Sequence, residues 1–237
     1  MTVRVFESAE ELALVTANQL AARLVAGITA RGRASLGLSG GQSPVGVYQA
    51  LAAGARAIGV DWARVHVYFA DERAVAPTDP ESNFRLARET LIDPAGIPPP
   101  NVHRMRAEHA DLEAVAIEYE ARFPHALDVL VLGLGPDGHT CSLFPGSPLV
   151  MERERRVVPV LDSPKPPARR VTVTPRVLAE AREVAMVVIE PTRAEAVAWA
   201  LEADVTPLEV PARLVRERDW YLVRGAAAWL RARTTPS

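Results

Sequence analysis

DVLVLGLGPDGHTCSLFPGSP, residues 128–148, decides how the rest of the chain is read. It begins with Val129-Leu130-Val131-Leu132, an uninterrupted apolar run rich in β-branched residues. Such a run predicts a strand buried on both faces. It stops abruptly at Gly133, Gly135, Pro136 and Gly138, residue types that form tight turns. Asp137 and His139 sit inside that turn, and Thr140, Cys141 and Ser142 follow. A buried strand ending in a glycine-rich loop with Asp and His matches the ligand-binding edge of an open α/β sheet. A tight turn with a surface His is the alternative reading of this stretch alone.

Outward from 128–148 the same alternation repeats. Apolar runs predict strands over 3–6, 34–38, 65–70, 157–160, 171–173, 184–189 and 220–223, with a short edge strand over 102–105. Helices are expected between them. Ser8 with Glu11 three residues on forms a capping box for a helix reaching about residue 30. Ser43 suits the N-cap and Pro44 the first turn of a helix over 45–53. Ser82 suits the cap of a helix over 83–91. Further helices are expected over 111–123, from the Thr174-Pro175 pair to 181, over 191–202 and 212–215, and in a tail through 230. Residues 234–237 are expected to be disordered. Strands that are apolar runs and alternate with helices imply an α/β fold. Specifically, they predict a mostly parallel sheet covered on both faces. No repeat or linker divides the chain, so a single domain over 1–237 is expected.

Composition narrows the function classes. With 49% hydrophobic and 24% charged residues, the chain resembles ordinary soluble globular proteins. A net charge of −2 argues against bulk electrostatic binding of nucleic acid. No uninterrupted apolar run approaches the length of a membrane span, and charges come too early for a signal peptide. A cytoplasmic location is therefore expected. The single cysteine excludes an internal disulfide and a multi-cysteine metal site. Of the 27 Lys and Arg residues only Lys165 is a lysine, leaving 26 Arg. A lone Lys in such a background suggests a task suited to a compact ammonium.

The candidate functional residues fall on loops expected to follow strands: 39–44, 71–73, 133–142 and 162–170. In a doubly wound sheet such loops gather at the carboxyl ends of the strands. Gly40 and Gly41, before a helix start at Ser43-Pro44, can bring backbone amides onto an anion. The loop has neither the Walker nor the dinucleotide-binding pattern. Asp71-Glu72-Arg73 ends a strand with charges. Arg73, Lys165, Arg169 or Arg170, and Arg193 together suit a phosphate dianion. A neutral His139 flanked by Asp137 can take a proton from water, since imidazole titrates near about pH 6.5. No GxSxG elbow and no HxxxH pair occurs. The residues therefore point to a hydrolase or isomerase of a small phosphorylated metabolite, with no metal and no cofactor.

Four segments together resemble the 6-phosphogluconolactonase family: LSGGQSP (38–44), FADERAVAPTDPESNF (69–84), VLGLGPDGHTCSLFPG (131–146) and KPPARRVT (165–172). The resemblance implies a three-layer α/β/α sandwich with a mostly parallel, Rossmann-like sheet, the fold shared with glucosamine-6-phosphate deaminases, ribose-5-phosphate isomerases and CoA transferases. It implies a carboxylic ester hydrolase that converts 6-phospho-D-glucono-1,5-lactone to 6-phospho-D-gluconate in the oxidative pentose phosphate pathway. By position, His139 would be the general base, with Asp137 orienting it. Gly40, Gly41, Ser43, Arg73, Lys165, Arg170 and Arg193 would bind substrate phosphate, with Asp71 organising the pocket. The expected partner is a small phosphosugar lactone, with no nucleic acid or membrane, and the expected state is a monomer or weak homo-oligomer.

Two departures stand out. Many relatives carry Gly-x-x-Lys after the late apolar strand, where this chain has Glu190-Pro191-Thr192-Arg193. An Asp expected after the last strand is replaced by Arg224-Gly225, with a structural effect only. Two rivals are an amino-sugar phosphate deaminase/isomerase and a non-catalytic phosphosugar-sensing module. The deaminases resemble this chain through DGHx but follow it with Asn-Glu-Pro. This chain has no carboxylate there, reading Ser142-Leu143-Phe144-Pro145.

Overall fold

The computed structural model describes residues 1–231 and 235–236. The chain opens with β1 (Val3–Phe6) and α1 (Ala9–Arg31), followed by β2 (Ala34–Leu38) and α2 (Val45–Gly54). Next come β3 (Val65–Phe69), β4 (Asp71–Arg73) and α3 (Asn83–Ala87), which runs through a π turn into α4 (Asp93–Ala95). Then follow α5 (Leu112–Arg122), β5 (Val129–Gly133), β6 (Val157–Val160) and β7 (Arg170–Val173). The chain ends with α6 (Pro175–Glu180), β8 (Glu183–Val188), α7 (Ala194–Leu201), β9 (Asp219–Val223) and β10 (Thr235–Pro236).

Among the described residues, seven strands form one sheet in the order β10-β1-β9-β8-β5-β2-β3. Every pairing in it is parallel. β5 is an inner strand between β8 and β2, with Val129 to Leu132 fully buried, as its apolar run requires. From β2 the chain leaves toward β3, whereas from β5 it leaves toward β8 on the other side. Adjacent strands whose exits diverge leave a crevice at their carboxyl ends. That crevice lies between the loop 39–44 and the turn 134–142.

Local sequence explains the helix ends. Ser8 Oγ accepts from Glu11 N at 3.1 Å, and the Glu11 carboxylate accepts from Glu7 N at 3.2 Å. α1 is long and apolar enough to cross a bilayer by length and composition alone. Leu12, Thr16, Leu20, Leu24 and Gly27 nevertheless face the interior of this fold, so its apolar stripe is used in the core. Asp111 caps α5 by accepting from Ala114 N at 3.0 Å.

Several expectations change. The segments 71–73, 157–160 and 170–173 form a separate antiparallel sheet, ordered β4-β7-β6, rather than joining the parallel one or remaining a loop. The bond from Val173 N to Ala70 O at 2.7 Å seats this sheet at the carboxyl end of β3. Residues 102–105 contribute one bridge, Val67 to Val102, instead of a strand. Ser43 is not a helix cap: Pro44 occupies that position, and Ser43 Oγ donates to Glu190 Oε2 at 2.6 Å. Thr174 makes no side-chain cap either, because its hydroxyl donates to Arg155 O at 2.6 Å. The tail forms turns over 224–229 rather than a helix. Thr235 and Pro236 pair with Arg4 and Val5; the remainder of the segment expected to be disordered lies outside the described residues. Arg224 pairs with Glu7 across β1 and β9.

Candidate active site

The crevice is a cleft of about 440 Å³. Gly40, Gly41, Ser43, Asp71, Arg73, His139, Lys165, Arg170 and Arg193 all line it, together with Glu190 and Cys141. Asp137 stands behind His139. Arg169 points elsewhere and donates to Ala110 O at 2.6 Å. A groove of about 400 Å³ between the α3–α4 arm and α5 contains none of these candidates.

The turn after β5 closes on itself before it presents His139. Gly135 N donates to His139 O at 2.8 Å, and Thr140 Oγ1 donates to Gly133 O at 3.0 Å. The imidazole packs against the Phe144 ring with centroids 4.7 Å apart. On its other side lies Gly135, where a Cβ would fall 2.0 Å from His139 Cε1 and Nδ1. Only glycine leaves room for the ring. His139 Nδ1 lies 2.5 Å from Asp137 Oδ1. An ionised carboxylate only accepts, so Nδ1 carries the hydrogen and Nε2 keeps its lone pair. Burial pulls the Asp137 carboxyl upward, but the hydrogen bonds and charges of His139 and Lys165 together hold it well below the usual carboxylate range.

Lys165 is directed at this pair. Its Nζ lies 2.9 Å from Asp137 Oδ1 and 3.3 Å from His139 Nδ1. Its loop is pinned twice. Ser163 Oγ donates to Lys165 O at 2.9 Å and accepts from Lys165 N at 3.2 Å. The buried Arg170 guanidinium donates to Pro167 O at 2.9 Å and to Lys165 O and Pro166 O, each at 3.1 Å. Arg170 therefore spends most of its fork on backbone, with Phe144 beneath it at 5.5 Å.

A buried carboxylate braces the opposite wall. Asp71 accepts from Ser142 Oγ at 2.7 Å and from Asn83 Nδ2 at 2.9 Å. Asn83 sits where a Cβ on Gly40 would fall 1.8 Å from its Oδ1. Gly40 is thus small for the sake of Asn83, whereas Gly41, with φ +87 and open space above it, faces the cleft. Glu72 accepts from Asn83 N and Phe84 N, both at 2.8 Å, and so anchors α3. Burial nevertheless pushes its carboxyl up. Tyr48 braces the first loop, its hydroxyl donating to Ser39 O at 2.8 Å and accepting from Ser39 N at 3.0 Å. Among the described residues, the Nε atoms of Arg73 and Arg193 are buried without a partner.

Asn83, Ser142 and Glu190 were not among the predicted site residues. Asn83 and Ser142 did lie inside the resembling segments, which was the available signal. Burial and the Asp71 charge keep the Cys141 thiol protonated, so it is a poor nucleophile. No cluster of three or more His, Cys, Asp or Glu suited to a metal occurs among the described residues.

The chain matches the family model described as glucosamine-6-phosphate isomerases/6-phosphogluconolactonase over residues 7–225. It belongs to that family. A 6-phosphogluconolactonase of Mycobacterium tuberculosis is 38% identical over 245 residues, covering 97% of this chain and 98% of the relative. The crystal structure of a 6-phosphogluconolactonase from Shewanella baltica superposes with a TM-score of 0.83 at 28% identity, covering 94% of this chain and 97% of that one. A monomeric glucosamine-6-phosphate deaminase has a TM-score of 0.84 at 22% identity, over 97% of this chain and 100% of that one, and shares the fold alone. The chain is an enzyme of the 6-phosphogluconolactonase type, a hydrolase of carbohydrate metabolism.

Proposed function

We propose that the cleft hydrolyses 6-phospho-D-glucono-1,5-lactone to 6-phospho-D-gluconate, as a step of the oxidative pentose phosphate pathway. The observation that carries this reading is the Asp137–His139 pair, aimed into a cleft whose far wall has an amide-bearing loop and two arginines. The free Nε2 of His139 takes a proton from water as the oxygen attacks the lactone carbonyl carbon. Backbone amides lining the cleft stabilise the resulting oxyanion, and one such donor is typically worth about 2.7–4 kcal/mol. The carbon–ring-oxygen bond then breaks, and the imidazolium returns its proton to the departing alkoxide. Gly41 and the loop before α2, with Arg73 and Arg193, hold the phosphate.

The deaminase reading is disfavoured by Ser142. It stands where those enzymes place a carboxylate segment, and its hydroxyl is committed to Asp71. The test is a coupled assay that follows freshly made 6-phosphogluconolactone through an NADP-dependent 6-phosphogluconate dehydrogenase, run beside glucosamine 6-phosphate. Hydrolysis well above the spontaneous rate, abolished by His139→Ala and indifferent to EDTA, is expected. Turnover of the amino sugar with no lactone hydrolysis would sink the proposal.

A further inference from the structure

We infer that Lys165 is a positioning residue for His139: its ammonium shares Asp137 Oδ1 with the imidazole and opposes a charged ring, so that Nε2 stays free. This rests on the reading of His139 as the general base, and it differs from a role for Lys165 in gripping phosphate.

The geometry is a compact triangle. Asp137 Oδ1 lies 2.5 Å from His139 Nδ1 and 2.9 Å from Lys165 Nζ, and the two nitrogens are 3.3 Å apart. With Nδ1–H donating to Asp137, the ammonium cannot also donate to that nitrogen. It acts on the ring through its charge and through the oxygen they share. Alone, Asp137 would favour the imidazolium and hold the base protonated. Lys165 opposes this in two ways: it repels a positive ring and draws on the same carboxylate lone pairs.

Other charged groups surround the site. Arg170 on β7 lies over Phe144, Asp71 and Arg73 come from β4, and Glu190 and Arg193 follow β8. Glu209 lines the neighbouring groove with Asp137 and Lys165. Of all these, Asp137 and Lys165 are the two charges in contact with the imidazole.

Two further observations agree. The backbone that carries Lys165 is held in place, because Arg170 bonds the carbonyls of 165, 166 and 167. Lys165 is also the single lysine beside 26 arginines. An ammonium can sit over one carboxylate oxygen as a point charge, whereas a planar guanidinium would tend to take both oxygens and displace the imidazole.

The test is an NMR titration of the His139 ring in the full chain, its resonance identified among the five histidines by its loss in His139→Ala. In Lys165→Met the His139 midpoint should rise by about one pH unit or more. Lys165→Arg, which keeps the positive charge, should not raise it. In parallel, the acid limb of kcat in Lys165→Met should move upward with both the phosphorylated lactone and glucono-δ-lactone. An unchanged or lowered midpoint overturns the inference. So does a Lys165→Met effect confined to the KM of the phosphorylated lactone. The titration needs no substrate, so absence of lactonase activity in the parent would refute the proposed function while the midpoint still decides the role of Lys165.

Discussion

Gly135→Ala tests the site at its tightest contact. The added methyl would lie 2.0 Å from His139 Cε1 and Nδ1, whereas ordinary contact begins at 3.4 Å. The ring must retreat by the difference, about 1.4 Å. Phe144 blocks simple sliding at a centroid distance of 4.7 Å, so the movement breaks the 2.5 Å bond to Asp137. A misplacement of about 1 Å can cost 10²-fold, and a general base is worth about 10²–10⁴-fold. A loss of kcat/KM of about 10²–10⁴-fold is expected, or roughly 3–5 kcal/mol of transition-state stabilisation. The fold should be nearly untouched. Gly135 is not among the glycines with positive φ, and at such positions Gly→Ala typically adds about 0.4–1 kcal/mol through the unfolded chain. The assays are the coupled lactone assay and a urea melt on the same preparation. Parent-like kcat/KM would refute the argument that His139 works from this position. Equal losses of stability and activity would show that the turn itself had failed.

Three further outcomes follow from the same contacts. Arg170→Met removes the donor to three loop carbonyls, so stability should fall by about 2–4 kcal/mol; a urea midpoint shift worth less than about 0.5 kcal/mol would contradict the bracing role. Glu190→Gln keeps an acceptor for Ser43 Oγ but removes a negative charge from the cleft. The KM for the phosphorylated lactone should fall roughly fivefold, for about 1 kcal/mol of relieved repulsion, while glucono-δ-lactone is unaffected; equal changes for both would place the phosphate elsewhere. Asp137→Asn concerns pH. The folded carboxyl titrates below its ordinary value of 3.8, so ionised Asp137 contributes stability above that pH and loses it as pH falls through the folded value. The parent should therefore exceed the variant by a constant margin near neutrality, narrowing below pH 3.8; a margin that grows on acidification in denaturant melts would reverse the sign.

Much of the molecule is legible without coordinates because it is encoded locally. Val129 to Leu132 can only be a buried strand, and the glycines after it force a turn that exposes Asp137 and His139. The Ser8–Glu11 box is likewise settled within four residues. What the tertiary structure decides lies between distant residues. The runs 157–160 and 171–173 look like every other strand; only the pairing of Asp71 with Thr172 and of Val158 with Thr172 puts them in an antiparallel sheet. Ser43 has the chemistry of a helix cap, yet Glu190, 147 positions away, takes its hydroxyl. Gly40 looks like an anion-loop glycine until Asn83 occupies the space of its side chain. Lys165 has the charge for phosphate, but Asp137, 28 positions earlier in the sequence, turns it toward the imidazole. Periodicity and capping act between near neighbours, so they can be read from the order of residues. The direction of a charged side chain depends on which of several possible partners packing brings within about 3 Å, and only the assembled fold makes that choice.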